Sequence, residues 1–207
     1  MSEMRVGMLA VGEGVEVKQR ATKTAALVVA AGHGGLVELA MNNCLMLAST
    51  AVAGVAPGTA LSTTPPICLW NPLNSGKNLA ILKSFLGLKS GTLGGGSIVY
   101  GFVPAQNAAP TTGSELTVQS CKLGSPNGVG RVFQGSTVVA TPTILRPAFL
   151  EGAMVDTTAI GPQNVVDYVD GEIIVPPGNC FIIQGVAGAG TSPLLIFGLL
   201  WEEITIV

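Results

Sequence analysis

Charge is scarce in this sequence. Asp, Glu, Lys and Arg make up 11% of its 207 residues, less than half of the ~25% usual in a soluble domain. The chain is not a disordered solvating segment, because such segments are charged and poor in Val, Ile and Leu, whereas hydrophobic residues here reach 48%. A strongly basic nucleic-acid binder is excluded as well, since the formal net charge is −2. Histidine is scarcer still. His33 stands alone, so a metal site of several histidines is impossible within one chain, and a Ser-His-Asp triad would have to use this residue. It lies in Gly32-His33-Gly34-Gly35, a turn in which a lone histidine is structural or exposed rather than catalytic. Aromatics are 5% of the chain, and none of them falls in residues 1–60.

The charge that exists is unevenly placed. Residues 39–76 and 173–201 contain no Asp, Glu, Lys or Arg. Bilayer-spanning helices need about 20 consecutive apolar residues. Asn42, Asn43 and Pro57 interrupt the first stretch, and Pro176, Pro177, Asn179 and Gln184 the second. The first ten residues hold Glu3 and Arg5 and show no apolar run with a cleavage site, so no signal peptide is expected. These spans are therefore expected in a core and in subunit interfaces, whose centres are depleted in charge. All ten Lys and Arg lie between Arg5 and Arg146, and seven of the twelve acidic residues follow residue 146. Chance and complementarity between subunits both fit that asymmetry.

What the chain has in quantity is Gly (28) and Pro (13). They punctuate short runs of Val, Ile, Leu and Thr at Pro57-Gly58, Pro65-Pro66, Asn71-Pro72, Gly94-Gly95-Gly96, Asp170-Gly171 and Pro177-Gly178, the pattern of many short strands. Residues 36–48 read equally as a short helix or a strand. Three strand regions stand out. Asn78 to Leu88 predicts Leu79, Ile81 and Phe85 on one face and Leu82, Leu86 and Leu88 on the other. Glu172 to Val175 leads through Pro176-Pro177-Gly178-Asn179 to Cys180 to Val186. Leu194 to Val207 ends in alternation, with Ile204 and Ile206 opposite Glu203 and Thr205. The expected fold class is all-β: a jelly-roll-like β-sandwich with an N-terminal arm or small β subdomain. The textural boundary near residues 57–66 predicts an attachment segment over 1–60 and a sandwich body over 61–207.

Motifs that carry chemistry fall short. Asn71-Pro72-Leu73-Asn74-Ser75-Gly76-Lys77-Asn78 lacks the first Gly and the final Ser or Thr of a phosphate-binding loop, leaving a turn before a strand. Gly185, Gly188 and Gly190 follow a strand, but no helix pattern opens after them. Asp167, Asp170 and Glu172 lack the ligand alternation of a calcium loop. Cys44, Cys68, Cys121 and Cys180 lie far apart in apolar settings with no Cys-x-x-Cys, which reads as buried free thiols in a reducing compartment. No catalytic, cofactor-binding or metal-ligating residue is assigned.

Four phrases nevertheless resemble the small structural proteins of tailed bacteriophages. They are Trp70-Asn71-Pro72-Leu73-Asn74-Ser75-Gly76-Lys77-Asn78-Leu79, Ser90-Gly91-Thr92-Leu93-Gly94-Gly95-Gly96, the Val-Pro-Pro-Gly end of Gly171 to Gly178, and Trp201-Glu202-Glu203-Ile204. Residues 25–57 are similar to the leading part of these proteins. The resemblance implies a virion protein without enzymatic activity: a cement or decoration protein on the capsid surface, assembled in the host cytoplasm. Its implied partners are the major capsid protein and its own copies, as a trimer, with no cofactor, nucleic acid or membrane. A receptor- or glycan-binding module of a fibre or tail is the alternative.

Overall fold

The structure is a computed structural model of the chain. It describes residues 36–151, 154–155, 164–186 and 190–206, and four two-residue strands nearer the N-terminus. The chain divides into two compact units, Met1–Glu38 and Leu39–Val207. The first contains β1 (Ala10–Val11) paired with β2 (Val15–Glu16), and β3 (Arg20–Ala21) paired with β4 (Leu27–Val28). A single turn and a half of helix, α1 (Val37–Met41), spans the division.

The second unit is built almost wholly of strands. They begin with β5 (Leu45–Ser49), β6 (Ile67–Asn71), β7 (Lys77–Ser90), β8 (Thr92–Leu93) and β9 (Gly96–Val103). Short strands β10 (Ser114–Leu116), β11 (Gln119–Ser120) and β12 (Arg131–Gln134) follow. The chain continues through β13 (Thr143–Glu151), β14 (Met154–Val155), β15 (Asn164–Val175), β16 (Asn179–Val186) and β17 (Leu194–Thr205). Helix accounts for 3% of the structure, against ~30% in an average soluble domain. The all-β expectation holds.

Pairing is nested. β5 pairs with β17, β6 with β16, β7 with β15 and β9 with β13, all antiparallel. The chain is thus one long ribbon folded back on itself and rolled. β17 also pairs with β7 and β16 with β9, which closes the roll into two sheets. The five-stranded sheet runs β11-β5-β17-β7-β15, and the six-stranded sheet β10-β12-β6-β16-β9-β13. Eight strands in this order are a jelly roll. The excursion between β9 and β13 supplies β10, β11 and β12, which widen both sheets at one side.

Two expectations are revised. Residues 39–60 do not belong to a separate segment: β5 hydrogen-bonds along β17 in the sandwich, and the compact unit starts at Leu39. The turn after Val175 is a corner, since β15 and β16 lie in different sheets. β7 does not keep one alternation along its length. Leu82 has no partner in either flanking ladder, since Lys83 pairs with Leu200 and Tyr168 while Ile81 pairs with Trp201 and Ile173. The extra residue flips the faces. Leu79 and Ile81 point into the core, and so do Leu86 and Leu88, while Phe85 turns outward with an exposed side chain.

Between the sheets lies one apolar core. Its largest fully buried side chains are Trp201, Tyr100, Phe181 and Phe197, and the Tyr100 and Phe181 rings lie 5.1 Å apart. The corners are tied by one side chain. Fully buried Asn71 donates from Nδ2 to the carbonyls of Lys77 and Val175, both at 2.8 Å, and its main-chain carbonyl accepts from the Gly178 N–H. The Asn-Pro phrase and the Val-Pro-Pro-Gly phrase, about a hundred residues apart in sequence, are therefore two turns at one end of the roll.

Candidate interaction surface

The two outer faces of the sandwich differ. On the six-stranded sheet, Cys68 and Trp70 of β6, Phe133 of β12, Val103 of β9, and Cys180 and Ile182 of β16 form a second buried cluster. It is roofed by the connections after β9 and β12, which contribute Ala109 and Val138. Gln106 fixes the roof. Its carbonyl accepts from the Trp70 indole at 2.6 Å, its Nε2 donates to Ala108 O, and its Oε1 accepts from the Val139 N–H. Thr111 and Thr137 bridge the two connections. Arg131 stacks over Trp70 and Phe133 and pairs with Glu115, whose carboxyl it holds below the usual range.

The five-stranded sheet carries no such roof among the described residues. Outward-facing side chains include Leu47 of β5, Ile196 and Ile204 of β17, Phe85 of β7, and Val166, Tyr168 and Ile174 of β15. Six of these seven are exposed, and Ile196 is half-buried. At the centre a groove of about 660 Å³ runs between Leu47, Phe85, Val166 and Ile196. Gly198 and Gly87 line it, and so it is open where side chains would otherwise stand. A Cβ on Gly198 would sit 3.2 Å from the Phe85 ring. Among the described residues, charge along this sheet includes Lys83 and Lys89 of β7, Glu202 of β17 and the exposed Asp170 and Glu172 of β15. The Lys83 ammonium lies 4.7 Å from the Tyr168 ring centroid. Partial burial pushes the Glu202 carboxyl up from its ordinary range.

Sequence-singled residues fall elsewhere. Lys77, in the phosphate-loop-like turn, pairs at 2.9 Å with buried Glu203, which also accepts from the Gly130 N–H; the turn is structural. Asp167 lies inside the edge of the sandwich. It accepts from Tyr100 Oη at 2.7 Å and meets Arg146 at 3.0 Å, while Arg146 stacks over the Tyr100 ring and Tyr100 also bonds Ser84. These groups come from β7, β9, β13 and β15, so the cluster latches one sheet to the other. Burial, reinforced by Asp167, pushes the Tyr100 hydroxyl well above its ordinary pKa, with Ser84 and Arg146 opposing. Asp170 occupies a left-handed turn at φ 48°, while exposed Glu172 reaches the same guanidinium as Asp167, 3.7 Å from Arg146 Nε, so these two carboxylates are bridged by a cation of the chain itself. Among the described residues no three His, Cys, Asp or Glu side chains gather as a metal site. Gly185 packs against the Gly58 and Pro57 carbonyls. His33 and Gly188 lie outside the described residues. The four cysteines are free, Cys68 and Cys180 being buried; desolvation, with Cys180 beside it, raises the Cys68 thiol.

The bare sheet was not singled out by sequence. Its signal was the absence of charge over 173–201, which reports a strand covered on its inner side and apolar on its outer side without distinguishing the two. Fold and surface together define a class: a jelly-roll β-sandwich with one sheet roofed and, among the described residues, the other open. Compared with known protein families, curated proteins and solved structures, the chain finds no match.

Proposed function

We propose that the protein is a structural component of a virus particle, a cement or decoration protein that binds the capsid surface through subunit interfaces. The observation that carries the subunit-interface part of this reading is the open, apolar outer face of the five-stranded sheet, a surface fit to be covered by another subunit. Large contiguous apolar patches on a folded domain mark interaction sites, and this one lies on a rigid sheet rather than on loops. The scarcity of charge over the central strands and the phage-like phrases at the Asn71 corner agree with it. In this reading the partners are the major capsid protein and further copies of the chain. No catalytic role is assigned, and the compact polar cluster around Tyr100 has its hydrogen bonds directed between strands.

Adding the purified chain to particles assembled without it tests the proposal. Co-sedimentation at a saturating, stoichiometric occupancy, with a higher melting temperature of the shell, is the expected result. Failure to bind the shell, with binding to cell-surface glycans instead, would favour the fibre or tail reading. For that reading the exposed Tyr168 is the natural sugar-stacking residue, but Lys83 already lies against its ring.

A further inference from the structure

We infer that the open face of the five-stranded sheet is the contact between two copies of this chain, packed sheet on sheet about a two-fold axis. The inference rests on the homo-oligomeric part of the reading above and replaces the three-fold arrangement implied by resemblance. Three observations lead to a second copy as the occupant. The first is size. Strands β5, β17, β7 and β15, of 5, 12, 14 and 12 residues, spaced about 4.8 Å apart and rising about 3.3 Å per residue, give a face of roughly 680 Å². That approaches the ~800 Å² that each partner contributes to a standard stable interface.

The second observation is charge. A two-fold contact must be complementary to itself, and this face carries both signs on adjacent central strands. Lys83 of β7 pairs with Leu200 of β17, two residues from Glu202. A two-fold axis running between β7 and β17 lays each over the other strand of the partner, which brings Lys83 of one copy toward Glu202 of the other. Among the described residues Glu202 has no ion-pair partner, and partial burial already disfavours its charge. A lysine from across the interface would supply the missing cation.

The third observation is shape. Packed sheets interdigitate their side chains at about 10 Å separation. Here the glycine-lined groove at Gly198 stands beside the projecting Phe85 and Val166, so the face offers holes and knobs to its own copy. An acidic or basic partner surface finds little to pair with on it.

Sedimentation equilibrium of the full chain, without any shell, is the test. The expected species is a dimer at micromolar concentration. Val166→Lys, an exposed position on the edge strand, is expected to raise the dissociation constant at least tenfold with an unchanged circular dichroism spectrum. Leu123→Lys, also apolar and more exposed than Val166 but off the sheet, should change nothing. Lys83→Glu and Glu202→Lys should each weaken the dimer, and the double variant should recover it. A monomer at tens of micromolar, a trimer, or a dimer indifferent to Val166→Lys and to both charge reversals would overturn the inference. Such results leave the shell-binding reading standing if the same preparation still decorates particles. Loss of shell binding by an intact dimer would instead remove that reading alone.

Discussion

At the scale of single residues, Asn71 and Tyr100 do the most to hold this roll together. Asn71 satisfies carbonyls at two corners that the ladders cannot reach. Asn71→Ala leaves the Lys77 and Val175 carbonyls without that donor, each worth about 1–3 kcal/mol when buried. The same change removes the buried Asn71 Oδ1, which has no partner, and so trims the loss. A net destabilisation of about 2 kcal/mol is expected, read as a lower urea midpoint with an unchanged slope. Tyr100 yields a pH dependence. Its folded pKa lies above the ordinary value of about 10, so above pH 10 the native chain retains a proton that the unfolded chain releases. Stability contributed by this group is full below pH 10 and falls as pH rises beyond it, by at most about 1.4 kcal/mol per pH unit. Tyr100→Phe should unfold more easily at pH 7 yet lose less stability between pH 9 and 11, measured by denaturant titration at each pH. Neither role was legible beforehand. Asn-Pro announced a turn, but nothing in sequence says which distant carbonyl an amide will meet.

At the scale of elements, the strands around Leu79–Leu88, Cys180–Val186 and Leu194–Thr205 were legible because β-branched and apolar runs between Gly and Pro have few other ways to fold. What escaped was the bulge at Leu82. Periodicity assumes one residue per rung, and a single unpaired residue reverses every assignment after it, so Phe85 was placed with Ile81 and is found outside. The turn at residues 176–179 was recognised, yet hairpin and corner turns use the same residues, and only long-range pairing decides between them. The roof over the six-stranded sheet leads to a chemical prediction. In the native chain Cys44 and Cys121, both half-buried, should alkylate first, Cys121 the slower because burial raises its thiol. Cys68 and Cys180 should react only on unfolding. Gln106→Ala removes two of the roof's hydrogen bonds, and it is expected to speed modification of Cys68 and Cys180 by tenfold or more, followed by mass spectrometry, while the Cys44 rate stays constant.

At the scale of the whole molecule, the two-unit division sets where the chain can be cut. Removing residues 1–38 leaves every strand of the roll in place. That fragment is expected to unfold cooperatively and retain a β-type spectrum. Removing residues 1–60 also deletes β5 and uncovers the edge of β17 from Gly198 to Glu202. The longer truncation should be insoluble or molten, as judged by loss of near-ultraviolet dichroism and dye binding to exposed apolar surface. The texture change near residue 60 was real in composition, but a strand without aromatics such as Leu45–Ser49 joins a sheet as readily as any other when its partner supplies the bulk. Here Trp201 pairs with Met46 and Leu199 with Ala48.

Nested pairing also governs how the chain is made. Thr50 bonds to Phe197, 147 residues later, so the first strand of the roll waits for the last. At about 5–20 residues per second that wait is on the order of ten seconds on the ribosome. Throughout it β5 lacks its long partner, and β7 has neither neighbour until β15 emerges. Such distant closures make folding slow and leave strand edges open to the wrong chain. The product therefore depends on β17: a nascent chain released before that strand is complete has neither its central strand nor a finished surface, and is a substrate for chaperones and proteases rather than for assembly.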